Sequence, residues 1–288
     1  MSGKVSKLKA YLKLSRPFTL LAPIFGGLVF SYLGYLEVGG PRCRILLTPL
    51  ILALVNYTSN VINQIYDRDI DKVNKPYRPI PSGEVSVDGA LSLAILLTII
   101  VIGVSYFVNN LFGLLLSIIM VFAWMYSAPP LRLRSRLFWS NIALAAPRGA
   151  LGILTAYASY ANPFNNVPLL VFSLGVAVYV FGGNTFKDFP DEVGDRMFGV
   201  RNFVTVYGRR RAFRIAVISI LLSSILFLYS MGVNIYTLPT LSILYTSFIL
   251  FGLKNPELKT KTENTVMWTI FYVGMLALFI LYLVSRYA

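Results

Sequence analysis

The sequence contains no histidine and a single cysteine, Cys43, among its 288 residues. Without histidine the chain lacks the commonest general base and the commonest ligand for zinc, haem or copper. One cysteine excludes an intrachain disulfide and a thiolate metal site. Charge is scarce as well: 13% of residues are Asp, Glu, Lys or Arg, about half the share of a soluble domain. Acids are the rarer sign, 12 against 26 basic residues, leaving a net charge of +14. In a soluble protein that excess would point to nucleic acid. Here the basic residues have a membrane explanation, and no nucleic-acid partner is expected. The first apolar run is long and lacks a small-residue cleavage pattern, so no cleavable signal peptide is expected.

Apolar residues are abundant, 56% of the chain. They come in runs of about 18–22 residues, long enough to cross a bilayer. Hydropathy predicts spans at 18–36, 45–66, 90–108, 111–128, 139–160, 167–186, 212–231, 234–252 and 265–284. Asn109-Asn110 separates the third from the fourth, and a tight turn near Gly232 separates the seventh from the eighth. The expected fold is an all-α integral membrane protein of about nine transmembrane helices, residues 1–288 forming one domain.

The basic residues orient those helices. Lys4, Lys7, Lys9, Lys13 and Arg16 precede the first span. Arg68, Lys72, Lys75 and Arg78 follow the second, and Arg132, Arg134 and Arg136 follow the fourth. Lys187, Arg196, Arg201, Arg209, Arg210, Arg211 and Arg214 follow the sixth, and Lys254, Lys259 and Lys261 the eighth. With nine spans these segments share one side and hold 22 of the 26 basic residues. The positive-inside rule makes that side cytoplasmic. The N-terminus and these loops are then expected inside and the C-terminus outside, in the cell membrane, with anionic lipid headgroups as neighbours. An eight-span count would scatter the charges over both faces.

Eleven of the twelve acids lie on the same side, Glu37 being the exception. The positive-inside rule does not require this, because Asp and Glu contribute little to topology. They form two clusters. Asn63, Asp67 and Asp71 at the end of span two are spaced to share one helical face if the helix continues. Asn184 and Asp188 repeat the first step at the end of span six, followed by Asp191 and Asp195, with Pro190 placed to bend or break the helix. The clusters are four spans apart, so their helices run in the same direction and a parallel internal repeat is plausible. Stacked carboxylates repel one another unless cations lie between them. Oxygen donors without His or Cys select a hard ion, magnesium best of all, because it takes its remaining ligands from phosphates and water.

Asn63-Gln-Ile-Tyr-Asp67-Arg-Asp-Ile-Asp71, with Arg78-Pro-Ile-Pro-Ser-Gly83 after it, resembles the first motif of the UbiA superfamily of intramembrane prenyltransferases. Lys187-Asp188 through Gly194-Asp195-Arg196 resembles the second. Tyr126-Ser-Ala-Pro-Pro-Leu-Arg132 resembles the recurring loop after span four, and Arg16-Pro17 fits the entry to span one. The resemblance covers nearly the whole chain. One position departs from it: the family usually has Asn-Asp where this chain has Asn63-Gln64, so Gln64 is not expected to hold metal.

The resemblance implies spans around a central cavity and Mg2+-dependent transfer of a prenyl group, geranylgeranyl or similar, from a prenyl diphosphate to a lipophilic acceptor. It implies a pair of magnesium ions held by Asn63, Asp67, Asp71, Asp188, Asp191 and Asp195, the aspartates being the catalytic group. Arg16, Lys75, Arg78, Arg132, Lys187 and Arg196 are the candidates for the diphosphate, since basic side chains suit it. Arg148, in the middle of span five where an unpaired charge is costly, is expected to face the cavity or the acceptor. Tyr126, with Tyr57, Tyr66 and Tyr179, is a candidate wall for a carbocation. Asp69, offset from its neighbours, is expected to pair with Arg68 or Lys72.

A quinone precursor or an archaeal ether-lipid glyceryl phosphate ranks first as acceptor. Tyr77-Arg-Pro-Ile-Pro-Ser-Gly83 and Pro129-Pro130 also look like (bacterio)chlorophyll synthases, which keeps a pigment as an alternative. A secondary transporter is the alternative from another class, but transport sites lie near the bilayer midplane, and these acids lie at one edge.

Overall fold

The computed structural model describes residues 2–254 and 266–287. Among them nine helices are long and apolar enough to cross a bilayer. In chain order these spans are Pro17–Val38, Cys43–Tyr66, Val87–Val108, Asn110–Ser127, Leu137–Ala158, Val167–Asp188, Arg209–Met231, Thr237–Lys254 and Val266–Tyr287. Their bounds agree with the hydropathy reading to within a turn of helix. Arg209, Arg210 and Arg211 open the seventh span instead of lying in the loop before it. Lys259 and Lys261 lie outside the described residues, as do the side chains of Lys4 and Lys7.

Four short helices complete the loops on one side: Ser2–Leu14, Arg68–Asn74, Glu192–Met197 and Phe203–Tyr207. Hydropathy does not reveal Ser2–Leu14, because it is too polar to span. Ala10 and Leu14 nevertheless bury against Val61, Ile62 and Ile65 of span two. Pro190 breaks the chain after span six, and a new helix starts at Glu192.

Two spans depart from regular α-helix near the site. Span six tightens into a 3-10 turn over Asn184–Asp188. Span five contains a π-helical turn, Ala146–Leu151, in which the Gly152 N–H donates to the Pro147 carbonyl five residues back. Such turns are frequent at functional sites. Glycine clamps span six on two sides. A Cβ on Gly149 would lie 2.4 Å from Ala177 Cα, and one on Gly182 would lie 2.5 Å from the Ala216 carbonyl oxygen. Both contacts involve backbone, so neither can relax by turning a side chain. Small residues thus let spans five, six and seven approach closely, which is how membrane helices gain packing without a hydrophobic drive between them.

One aromatic cluster of the core lies toward the spans' other end, away from the acidic clusters. Phe30, Phe172, Phe227 and Tyr282 meet there, with Phe172 and Tyr282 ring centroids 4.2 Å apart. That end holds a smaller cavity of about 430 Å3 beside Tyr282, while the larger chambers lie in the half nearer the acids. Substituting Gly182→Val forces spans six and seven apart. The expected cost is about 1–3 kcal/mol, the usual range for overpacking, read as a lowered Tm of the purified protein in detergent.

Candidate active site

Span two carries the first cluster. Its helix ends at Tyr66 and restarts at Arg68, yet the ladder survives: the Asp67 N–H donates to the Asn63 carbonyl at 2.9 Å and the Asp71 N–H to the Asp67 carbonyl at 2.8 Å. Asn63, Asp67 and Asp71 therefore keep a common face, and Asn63 Nδ2 donates to Asp67 Oδ2 at 2.5 Å. Asp69 pairs with Arg68 and Lys72 on the exposed side.

The second cluster folds against the first. Arg134 joins them, with Nε 2.8 Å from Asp67 Oδ2 and Nη2 3.2 Å from Asp195 Oδ1. Lys75 of the first cluster pairs with Asp191 of the second. Asn74 Nδ2 donates to the Asp191 carbonyl, and the Gly194 N–H donates to Asn74 Oδ1, both at 2.8 Å. Arg78 holds Asp71 at 2.6 Å, Lys187 holds Asp188 at 2.7 Å, and Asn202 Nδ2 donates to Asp195 Oδ2 at 2.7 Å. All five aspartates are buried.

Burial and charge compete in this network. Burial raises Asp195 to about 7, although Arg134 pulls the other way. Burial also pushes Asp71 upward against the attraction of Arg78 and Lys75, and it lowers Lys75 to about 8 in spite of Asp191. Asp191 moves oppositely, to about 2: Lys75 and Arg78 outweigh the cost of its burial.

The clusters border a polar chamber of about 710 Å3. Asn63, Asp67, Asp191, Arg16, Lys75, Arg78 and Lys187 line it directly. Asp71, Asp188 and Asp195 stand behind that lining, each tied to one of the cations named above. Next to it lies a mostly apolar chamber of about 1000 Å3, walled by spans one, two, four, five, six and nine. Thr19, Ser59, Tyr126, Leu144, Arg148 and Trp268 line both, so the two chambers meet at this ring.

The entry to span one is set by side chains of span two. Asn56 and Asn60 donate to Thr19 Oγ1 at 3.2 and 2.9 Å, and Asn60 also donates to the Ser15 carbonyl at 2.7 Å. These bonds fix the Ser15–Thr19 turn and bring Arg16 to the chamber in a left-handed conformation, φ 52°. Gln64 faces this turn and not the chamber. It is fully buried, and its amide donates to the Leu14 carbonyl at 2.9 Å. A carboxylate at this position could not donate that bond.

Two sequence-based assignments are corrected. Arg196 lies on the exposed face, paired with Glu192 and donating to the Thr205 and Val204 carbonyls at 3.0 and 3.4 Å. It ties the helices after span six together and does not reach the chamber. Arg132 is part-exposed, donates to the Tyr66 carbonyl at 3.2 Å and comes no nearer to Asp67 than 3.7 Å. Its left-handed backbone, φ 38°, turns the loop so that Arg134, two residues on, takes the buried place. The aromatic wall also differs. Tyr126 lines the chambers, but the Tyr57 hydroxyl donates to the Tyr11 carbonyl and the Tyr179 hydroxyl to the Phe271 carbonyl, both at 2.9 Å, while Tyr66 is outside both linings. Trp268, Phe271 and Tyr272 of span nine supply the missing faces. Nothing in sequence spacing singles out Trp268, Asn74 or Asn202. Arg134 was visible as one of three loop arginines.

Among the described residues no three carboxylates converge as a ready-made metal cage. The donor set still fits magnesium, which commonly uses one or two carboxylates and completes its shell with phosphate and water. Asp67 Oδ1 and Asp188 Oδ2 are buried and accept no hydrogen bond, a cost that a hard cation would remove.

An acid-and-base rim above an apolar chamber inside a multi-pass membrane bundle defines a site for a ligand with an anionic head and a lipid tail. The sequence matches the model of the UbiA prenyltransferase family over residues 20–274. It is 30% identical to digeranylgeranylglyceryl phosphate synthase of Saccharolobus solfataricus, over 87% of this chain and 88% of the other. It is 27% identical to the bacteriochlorophyll synthase 33 kDa chain of Cereibacter sphaeroides, over 94% and 92%. The fold is similar to a UbiA homolog from Archaeoglobus fulgidus bound to GPP and Mg2+, with a TM-score of 0.72 at 19% identity, covering 97% of this chain and all of that one. The chain belongs to the UbiA prenyltransferase family. It is a multi-pass membrane enzyme that transfers a prenyl group from a prenyl diphosphate to a lipophilic acceptor.

Arg134 is the side chain that both clusters share. Its removal leaves Asp67 and Asp195 buried with less compensation. Arg134→Ala is expected to cost about 3–5 kcal/mol, as when one partner of a buried pair is deleted. A Tm in detergent no lower than that of the wild type would show that the two clusters do not depend on this bridge.

Proposed function

We propose that the chain, acting as one prenyltransferase domain, transfers a geranylgeranyl or similarly long group to a glyceryl phosphate ether lipid, with a quinone precursor as the next acceptor. The observation that carries this reading is the junction of a charged rim with a large apolar chamber. Diphosphate chemistry sits at the rim, and a long tail leaves water below it. Each methylene that leaves water contributes about 0.8 kcal/mol, so a long chain gains most from such a chamber. The relative from Saccharolobus solfataricus supports the glyceryl phosphate acceptor.

Asn63, Asp67, Asp71, Asp188, Asp191 and Asp195 are the residues that would hold magnesium. Bound there, it would neutralise charge on the departing diphosphate. Lys75, Arg78, Lys187 and Arg16 line the same chamber and meet the diphosphate oxygens as hydrogen-bonding cations. Tyr126, Trp268 and Tyr272 offer aromatic faces to the positive charge that grows on the allylic carbon. The apolar walls below keep water from that carbon.

The charge distribution supports a cytoplasmic N-terminus and rim, with the C-terminus outside. Cys43 provides a native probe, since it is exposed at the end of span two opposite the acids. A membrane-impermeant maleimide should label it in intact cells. Labelling only after lysis would reverse the orientation.

The reaction itself is tested with purified protein, geranylgeranyl diphosphate and a panel of acceptors, with products read by mass spectrometry. Chelation should stop turnover and Mg2+ restore it. Asp67→Asn and Asp188→Asn should each lower kcat by about 100-fold or more, the scale of losing a group that stabilises transition-state charge. Full turnover after chelation would remove the metal from the mechanism.

A further inference from the structure

Arg148 lines the cavity yet neither joins the acidic clusters, as Arg134 does, nor belongs to the cations assigned to the diphosphate. It sits on the π-helical turn of span five, at the ring where the polar and apolar chambers meet. Gly149 seats that turn against Ala177 of span six, which fixes the position from which the guanidinium projects. By helical rise its backbone lies ~16 Å along the span from Leu137, and its side chain reaches the polar chamber from below.

Lys75, Arg78, Arg134 and Lys187 each have an aspartate partner. Arg148 has no ion-pair or hydrogen-bond partner among the described residues. Tyr126 and Tyr272 are the polar groups beside it in the chambers, and it shares the polar chamber with Arg16, Lys75, Arg78 and Lys187 as well as with Asp67 and Asp191, to which it makes no ion pair. An unpaired charge at that depth is costly. On the reading above, with the head at the rim and the tail in the apolar chamber, prenyl C1 comes to the ring that Arg148 lines. During transfer the bond between prenyl C1 and the diphosphate oxygen breaks, and its electron pair leaves with the diphosphate. The acceptor's nucleophilic atom then bonds to C1, and its proton passes to solvent. A bare guanidinium facing the chamber opposes the growing cation by like-charge repulsion.

The geometry points to Arg148 as the receptor for an anionic group, phosphate or carboxylate, carried by the acceptor, and as a brake on donor ionisation until that acceptor is bound. The inference rests on the reading above, that a prenyl diphosphate is ionised at the acidic rim. The acceptor's anion pairs with Arg148 and cancels its repulsion, so C1 becomes reactive only when its proper nucleophile is present. Without the brake, water would bond to C1 and lose a proton to solvent, releasing the free prenol and wasting the donor.

The test uses the full-length protein in detergent with radiolabelled geranylgeranyl diphosphate. Two readings are taken: prenol released without acceptor, and KM and kcat for three acceptors. These are a glyceryl ether phosphate, the same lipid without its phosphate, and a carboxylated aromatic. Arg148→Gln should raise prenol release about tenfold. It should also raise KM for whichever anionic acceptor the wild type uses by about 10- to 100-fold, the scale of one lost charged hydrogen bond, with little change for the phosphate-free lipid. The two anionic arms separate phosphate from carboxylate. Arg148→Lys should recover part of both effects, and equal Tm values exclude misfolding as their cause; if the Gln variant does not fold, the Lys variant carries the comparison. A fall in prenol release with weaker donor binding would place Arg148 on the leaving group and overturn the proposal. So would an unchanged preference between the phosphorylated and phosphate-free lipids. A wild-type protein that bound no prenyl diphosphate would overturn the underlying reading, and this one with it.

Discussion

Five carboxylates are buried at one edge of a membrane bundle, and the surrounding architecture answers to the cost of putting them there. A buried carboxylate without a counter-charge is strongly unfavourable, and here each lies beside a lysine or an arginine. Arg134 spans from Asp67 to Asp195, Lys75 reaches Asp191, and Arg78 and Lys187 hold Asp71 and Asp188. The contacts of Arg134 and Lys75 cross between loops far apart in sequence, so neutralising Asp67, Asp191 and Asp195 also closes the rim. The same cations suit a diphosphate. On the proposed reading, a diphosphate with its metal ions would exchange partners with these pairs, so the acids are neutralised before substrate arrives as well as after it.

The chamber below the rim follows from an uneven distribution of packing. Glycine contacts draw spans five, six and seven together, and the aromatic cluster around Phe172 packs the interior toward the far end. Trp268, Phe271 and Tyr272 bring aromatic surface in from span nine. The space that remains is apolar except where Arg148 and a few hydroxyl and amide side chains enter it. Two such chambers sort an apolar tail from an anionic head by solvation alone.

Gln64 illustrates how one substitution can leave such a site intact. Its position lies next to Asn63 in the first motif, yet on a helix adjacent residues point about 100° apart. Asn63 looks into the chamber and Gln64 away from it, toward the Leu14 carbonyl. Glutamine donates where an aspartate could only accept, so this residue ties the N-terminal helix to span two and leaves the acidic face to Asn63, Asp67 and Asp71.

The membrane fold was legible in sequence because hydropathy is a local property: a run of apolar residues must cross the bilayer wherever its neighbours are, and nine such runs were placed to within a turn. The pairing of the two acidic clusters was legible for a similar reason, since spans an even number apart end on the same side. Arg16, Lys75, Arg78 and Lys187 were likewise identified from motifs that recur near span ends. Tertiary structure alone decided between Arg132 and Arg134, because a left-handed residue in the loop turned the second inward and left the first part-exposed. It alone removed Arg196 to a surface contact with Glu192, brought Trp268 to the ring from a distant span, and left Arg148 without a partner among the described residues. Those outcomes depend on which side chains meet across spans remote in sequence. Composition and spacing can show that a charge is buried, but the counter-charge that satisfies it, or its absence, is set by the packing of the whole bundle.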